Sequence, residues 1–168
     1  MEELSRQQQL NINGYTIDFD KGGNGPPLLL LHGFPETKLA WQKISPSLTD
    51  RFTVIVPDLP GYGASTGPKP GDKDHEYSKR AAGNVLIEFM MQLGYKQFAL
   101  AGHDRGARVA YRMALDHPPV ITQLALLNII PTLEMIERMD YDKAIKMENW
   151  LFLSQPAPFA ETMINSNP

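Results

Sequence analysis

Cysteine is absent from the 168-residue chain, which excludes disulfides, thiolate metal sites and cysteine nucleophiles together. A basic excess is missing as well. Sixteen Lys and Arg against 19 Asp and Glu leave a formal net charge of −3 and a pI near 5.8, so no positive stripe is available to follow a phosphate backbone. No apolar run approaches the ~18 residues needed to cross a bilayer. The opening Met1-Glu2-Glu3-Leu4-Ser5-Arg6 is acidic and polar where a secretory leader is basic and then apolar. Nucleic-acid and membrane partners are not expected, and a cytoplasmic setting is. Histidine is scarce, at four residues (His32, His75, His103 and His117) without metal-ligand spacing, and the carboxylates are dispersed. Gly61-Tyr62-Gly63 lacks the strand, glycine-rich turn and ribose-binding acid of a dinucleotide site. Neither a metal nor an organic cofactor is expected, and water is the only cosubstrate.

What is present is an ordinary globular composition, 42% hydrophobic and 21% charged. Apolar runs alternate with helix-compatible stretches. Leu10-Asn11-Ile12 and Tyr15 to Phe19 flank Asn13-Gly14, the dipeptide of tight hairpin turns. Four consecutive leucines, Leu28 to Leu31, lie between breakers, as in a strand buried on both faces. Phe52 to Val56, Phe98 to Ala101 and Leu124 to Leu127 read as three more strands. Helices are expected over Thr37 to Leu48 and Ser78 to Leu93, the latter ending at Gly94, and from near Ala107. The stretch Thr66 to Asp74, dense in glycine, proline and charge, reads as a loop. Such alternation implies an α/β architecture, a parallel sheet with helices on both faces. Past Pro131 the sequence turns helical and Met-rich from Leu133 to Leu153, then reaches Gln155-Pro156-Ala157-Pro158. Two regions are therefore expected, 1–132 and 133–168.

The chemistry concentrates in Gly102-His103-Asp104-Arg105-Gly106, between a strand and a helix. Glycines on either side of a sharp strand-to-helix turn let backbones approach closely, so the central side chain projects at the helix N-terminus. A carboxylate there can attack a carbon bearing a leaving group and form an ester that water later cleaves. Taken alone, Asp104 is equally an ordinary helix cap. Order adds weight, because His32-Gly33-Phe34-Pro35 follows the leucine strand and Asp58-Leu59-Pro60-Gly61-Tyr62-Gly63 follows the next one. Three signals at three strand ends converge where α/β sheets hold their ligands.

In these motifs the chain resembles the α/β-hydrolase family, in the branch with an aspartate nucleophile: epoxide hydrolases, haloalkane dehalogenases and haloacetate dehalogenases. Those first two groups usually place Trp after the nucleophile. Here Arg105 follows Asp104 and Arg108 stands a turn later, which is similar to fluoroacetate dehalogenase, as are Arg108 to Met113, Asn149-Trp150 and Gln155-Pro156-Ala157-Pro158. Guanidinium groups three residues apart share a helix face and bind carboxylates with paired, charge-assisted hydrogen bonds, so an anionic substrate is expected. A solvated helix face, or an ion pair with Asp104, is the plainer reading of the two arginines. The resemblance implies that Asp104 displaces halide from a 2-haloacid, that Arg105 and Arg108 hold its carboxylate, and that Phe34 lends a backbone N–H and a ring. It further implies that Trp150 receives the halide through its indole N–H; packing of a helical cap is the alternative. His32, His103 and Asp58 are expected to be structural.

Three departures stand out. None of the four histidines occupies the position of the family's water-activating base, which leads to the expectation of a C-terminally incomplete hydrolase, with an exposed sheet edge and only the start of a helical cap. Position 128, where the family has a triad acid, is Asn128. The family's halide-binding histidine is replaced by Asn149, which still donates a hydrogen bond but brings no charge, so chlorinated or brominated acids are expected in preference to fluorinated ones. The expectation is a haloacetate dehalogenase-like hydrolase, with an epoxide hydrolase and an inactive fragment that only binds as alternatives. A homodimer stays open.

Overall fold

The computed structural model describes residues 4–68 and 75–166. Residues 69–74 of the expected loop lie outside these. A six-stranded sheet in the order β1-β2-β4-β3-β5-β6 forms the frame, with β1 Ser5–Ile12, β2 Tyr15–Gly22, β3 Pro27–Leu31, β4 Thr53–Pro57, β5 Phe98–His103 and β6 Ile121–Leu127. The pairs β1 with β2 and β2 with β4 are antiparallel; β4 with β3, β3 with β5, and β5 with β6 are parallel. Asn13 and Gly14 turn the first hairpin at positive φ, +47° and +86°, the combination a tight primed turn requires.

The leucines of β3 show why this strand is central. Leu29 and Leu31 join the larger core cluster with Phe19, Leu86, Phe89 and Leu100, while Leu28 and Leu30 face a second cluster with Trp41, Val54 and Val56. Successive side chains point to opposite faces, so both faces of β3 are covered. The strand at the far end differs. Nothing among the described residues pairs with the outer side of β6, and Leu124, Leu126 and Leu127 are 41%, 37% and 41% exposed.

Helix α2, Lys79–Gln92, begins where the Ser78 side chain accepts from the Ala81 N–H at 3.1 Å, and it buries Val85, Leu86, Phe89 and Met90. Helix α3, Asp104–Asp116, buries Ala107, Val109, Ala110 and Met113. It starts three residues earlier than the composition suggests, because the helical turn begins at Asp104 itself. The expected helix over 37–48 is instead a 3-10 turn, Lys38–Trp41, and the short α1, Ser45–Leu48. Pro46 explains the break, since proline fits only the first turn of a helix.

Tertiary contacts divide the chain into Met1–Ile129 and Ile130–Pro168. The second unit holds α4 Thr132–Glu137, α5 Tyr141–Lys146, α6 Glu148–Leu153 and α7 Phe159–Asn165. The helix expected from 133 to 153 is thus three short ones. Asp140 opens α5 by accepting from the Lys143 N–H at 2.9 Å, a cap that competes with a continuous helix. Phe152 and Phe159 meet edge to face at 6.1 Å within this unit. No helix among the described residues is long and apolar enough to cross a membrane.

Candidate active site

Strand β5 passes into α3 through a turn with no spare volume. A Cβ on Gly106 would stand 2.3 Å from the His32 carbonyl oxygen and 2.5 Å from that of Leu31; one on Gly102 would stand 2.6 Å from the Gly106 oxygen. Glycine is required at both positions, at Gly106 because the end of β3 meets the first turn of α3 backbone to backbone and at Gly102 because the end of β5 lies against that same turn. Asp104, between them, takes φ +47°, a left-handed conformation that costs a non-glycine residue about 1–3 kcal/mol and clusters at functional sites. This lifts its carboxylate to the head of α3. There Oδ1 accepts from the Phe34 backbone N–H at 2.9 Å.

The loop after β3 is held from below. His32 is fully buried; its Nδ1 donates to the Gly33 carbonyl at 2.8 Å and its Nε2 accepts from the Leu59 N–H at 2.9 Å. Burial pushes the imidazole pKa down, against the opposing pull of the Gly33 carbonyl and of Asp58 and Glu36. It is a neutral bracket between two loops, not a base. Asp58 accepts from the backbone N–H groups of Lys38 at 2.7 Å and Ala64 at 2.9 Å, which fixes the third strand-end loop. Glu36 accepts from the Gly33 N–H at 2.8 Å and pairs with His103 Nδ1 at 3.1 Å. Burial raises the Glu36 pKa, but the Gly33 and His103 hydrogen bonds outweigh it and leave the carboxyl below its ordinary range.

Next to this loop the surface opens. A cleft of about 490 Å³ is lined by Phe34, Tyr62, Tyr77, Lys79 and Arg105, with Leu59 and Val109 among its apolar walls. The Arg105 Nη1 donates to the Tyr62 hydroxyl at 2.8 Å, and its guanidinium carbon lies 5.0 Å from the centre of the Phe34 ring. Arg108 is partly desolvated, and its pKa is pushed down by burial and by Arg105 while Asp104 pulls it up. Lys79 is lowered to about 8 by burial first and then by repulsion from Arg105 and Arg108, with Asp104 acting in the opposite sense. Lys79 and Arg105 thus line the cleft, and Arg105, Arg108 and Asp104 act on Lys79 through charge, a concentration of cations that favours a bound anion.

The structure brings Phe34, Asp104, Arg105 and Arg108 together in the first unit. Asn128 follows β6 at φ +58°; because His103 pairs with Leu127, Asp104 and Asn128 leave adjacent strand ends in step. Asn149 and Trp150 lie on α6 in the helical unit. Glu36 and Lys79 were not among the sequence candidates. Glu36 had a signal in its place just after His32-Gly33-Phe34-Pro35, whereas nothing local to Ser78-Lys79-Arg80 marks Lys79. Among the described residues no group of three His, Asp or Glu could hold a metal ion.

A family model described as alpha/beta hydrolase fold matches residues 26–163. The chain is 44% identical to the fluoroacetate dehalogenase of a Burkholderia species over 169 aligned residues, covering 100% of this chain and 55% of that protein. It is 37% identical to the soluble epoxide hydrolase of Corynebacterium sp. (strain C12), covering 78% and 44% respectively. Among solved structures, the Nostoc sp PCC 7120 protein ALR0039 superposes with TM-score 0.92 at 45% identity, over 99% of this chain and 56% of that one. The chain spans about half the length of the curated relatives it matches.

Proposed function

The chain belongs to the alpha/beta hydrolase fold family, and from that membership we propose that its residues carry the nucleophilic step of a hydrolase acting on small 2-haloacids. One observation supports this reading above others: Asp104, strained at the head of α3, has Oδ1 held by the N–H of Phe34, and both Phe34 and the next residue, Arg105, line the cleft, with Arg108 one turn on. Likeness to a fluoroacetate dehalogenase points the same way.

In this reading the arginines bind the substrate carboxylate and set the α-carbon in line with the free oxygen of Asp104. That oxygen forms a C–O bond as the C–halogen bond breaks, and the halide leaves with the bonding pair. The product is a carboxyalkyl ester of Asp104. The sequence resemblance assigns reception of the halide to Asn149 and Trp150. Attack of water on the ester carbonyl then releases the 2-hydroxy acid, and the Phe34 N–H is placed to steady the oxyanion formed on the carboxyl carbon. Water attack needs a base, and His32 and His103 each have a ring nitrogen committed to the loops.

An epoxide substrate is favoured less by the cleft. Opening an oxirane calls for phenols that donate to its oxygen, and the Tyr77 hydroxyl is already given to the Pro68 carbonyl at 2.8 Å. Tyr141 opens α5 in the helical unit.

Intact mass after incubation with bromoacetate tests the reading, with bromide release followed in parallel. We expect one persistent carboxymethyl adduct and one bromide per 168-residue chain, both lost in Asp104→Asn. Adduct formation that survives Asp104→Asn would overturn the nucleophile assignment, and continuous bromide release without an adduct would reveal a base among these residues.

A further inference from the structure

We propose that Lys79 forms a second anion subsite in the cleft beside Asp104, which takes the distal carboxylate of a dicarboxylic substrate. The proposal rests on the reading of Arg105 and Arg108 as the clamp for the carboxylate next to the reacting carbon.

Three features of Lys79 carry it. The first is that its ammonium has no hydrogen-bond or ion-pair partner among the described residues. Other polar groups lining the cleft are engaged: Arg105 donates to Tyr62, and Tyr77 to the Pro68 carbonyl. Lys79 has neither a hydrogen bond nor an ion pair among the described residues, although it is half-buried. A desolvated ammonium with no acceptor is costly, and an anion entering the cleft supplies what the fold withholds.

The second is position. Lys79 is the first residue of α2, at the positive end of the helix dipole, where a cation is unfavourable and an acidic residue is the usual choice. Repulsion from Arg105 and Arg108 adds to this, and the amine is held at about 8, well below an ordinary lysine. Stability alone does not account for a lysine there.

The third is the balance of charge and space. Lys79 feels the charges of Arg105, Arg108 and Asp104, three cations in all against one carboxylate, so a monoanion such as a haloacetate leaves one positive charge uncompensated, and a dianion removes the surplus. A haloacetate has few heavy atoms, whereas clefts of roughly 300–1,000 Å³ commonly enclose larger ligands, and this one measures about 490 Å³. The substrate class that fits is a 2-halo dicarboxylic acid, with the carboxylate beside the halogenated carbon on the arginines and the other on Lys79.

Calorimetric titration of the 168-residue chain with acetate, malonate, succinate, glutarate and adipate tests this without any chemical step. We expect at least one diacid to bind on the order of tenfold more tightly than acetate. The diacid-to-acetate ratio should fall about tenfold in Lys79→Met and be largely kept in Lys79→Arg. Lys79→Gln serves as a second neutral variant if Lys79→Met melts early. A ratio unchanged in the neutral variants, or no diacid preferred in the wild type, would overturn the subsite. Bromoacetate labelling of the same preparations separates the two readings. An adduct on Asp104 without diacid preference leaves the nucleophile standing and removes the subsite; Lys79-dependent diacid binding without an adduct does the reverse.

Discussion

The two sides of Asp104 are built on opposite terms. Toward β3 the backbone of one loop lies against the first turn of α3, with glycine wherever a Cβ would collide and nearly every polar atom paired. Toward α2 the walls stand apart, cations gather, and Lys79 has no acceptor among the described residues. The closed side sets where the carboxylate points; the open side sets what can reach it. Rigidity and charge surplus are thus separated, so a change on one side should read out as lost order and a change on the other as altered binding.

The strongest way to break this contrast is to put a methyl group into the closed side. Gly106→Ala places a Cβ against two backbone oxygens that cannot swing aside, and we expect a loss of about 3 kcal/mol or more in unfolding free energy, measured by urea denaturation, together with loss of the bromoacetate adduct. A destabilisation below about 1 kcal/mol would mean that β3 and α3 can part without consequence.

Glu36→Gln is milder. It keeps the shape and removes the charge that receives the Gly33 N–H and His103, so about 1–2 kcal/mol is expected, less than at Gly106. The sign of its pH dependence follows from a carboxyl held below its ordinary value. Its contribution is present above the unfolded pKa of about 4.5 and is lost as pH falls through the folded value. Wild type should therefore lose more stability than Glu36→Gln on acidification from pH 5 downward, and parallel melting curves would remove the charge from the account.

The smallest effect belongs to the open side. A lysine held at about 8 binds its proton less well folded than unfolded, so the penalty is complete below pH 8 and relieved as pH rises toward 10.5. Arg105, Arg108 and Asp104 are the charged groups acting on it. We expect a shallow rise in the melting temperature of wild type relative to Lys79→Met across that window; identical profiles would show that Lys79 is solvated.

How far the sequence spoke follows the same division. Close backbone approach leaves a record in glycine, so Gly102, Asp104 and Gly106 marked the elbow, and the run after Leu31 marked the loop that meets it. Leu28 to Leu31 announced a doubly buried strand because each face demands its own apolar partners. The cleft left only part of such a record. Phe34, Tyr62 and Arg105 lie in marked runs, but Tyr77 and Lys79 join them only in the folded chain. Helix limits were the poorest guide: Pro46 split one expected helix and the Asp140 cap another, local chemistry that apolar periodicity passes over.

The outer edge of β6 has a consequence of its own. It offers a row of free backbone donors and acceptors flanked by Leu124, Leu126 and Leu127, with no other strand beside it among the described residues. Such an edge is a template, and whatever extended segment it meets first can add to the sheet. The strand next to the one that leads into Asp104 therefore makes protein concentration part of the behaviour of this chain: dilute samples should hold separate clefts, and concentrated ones should associate through the β6 edge.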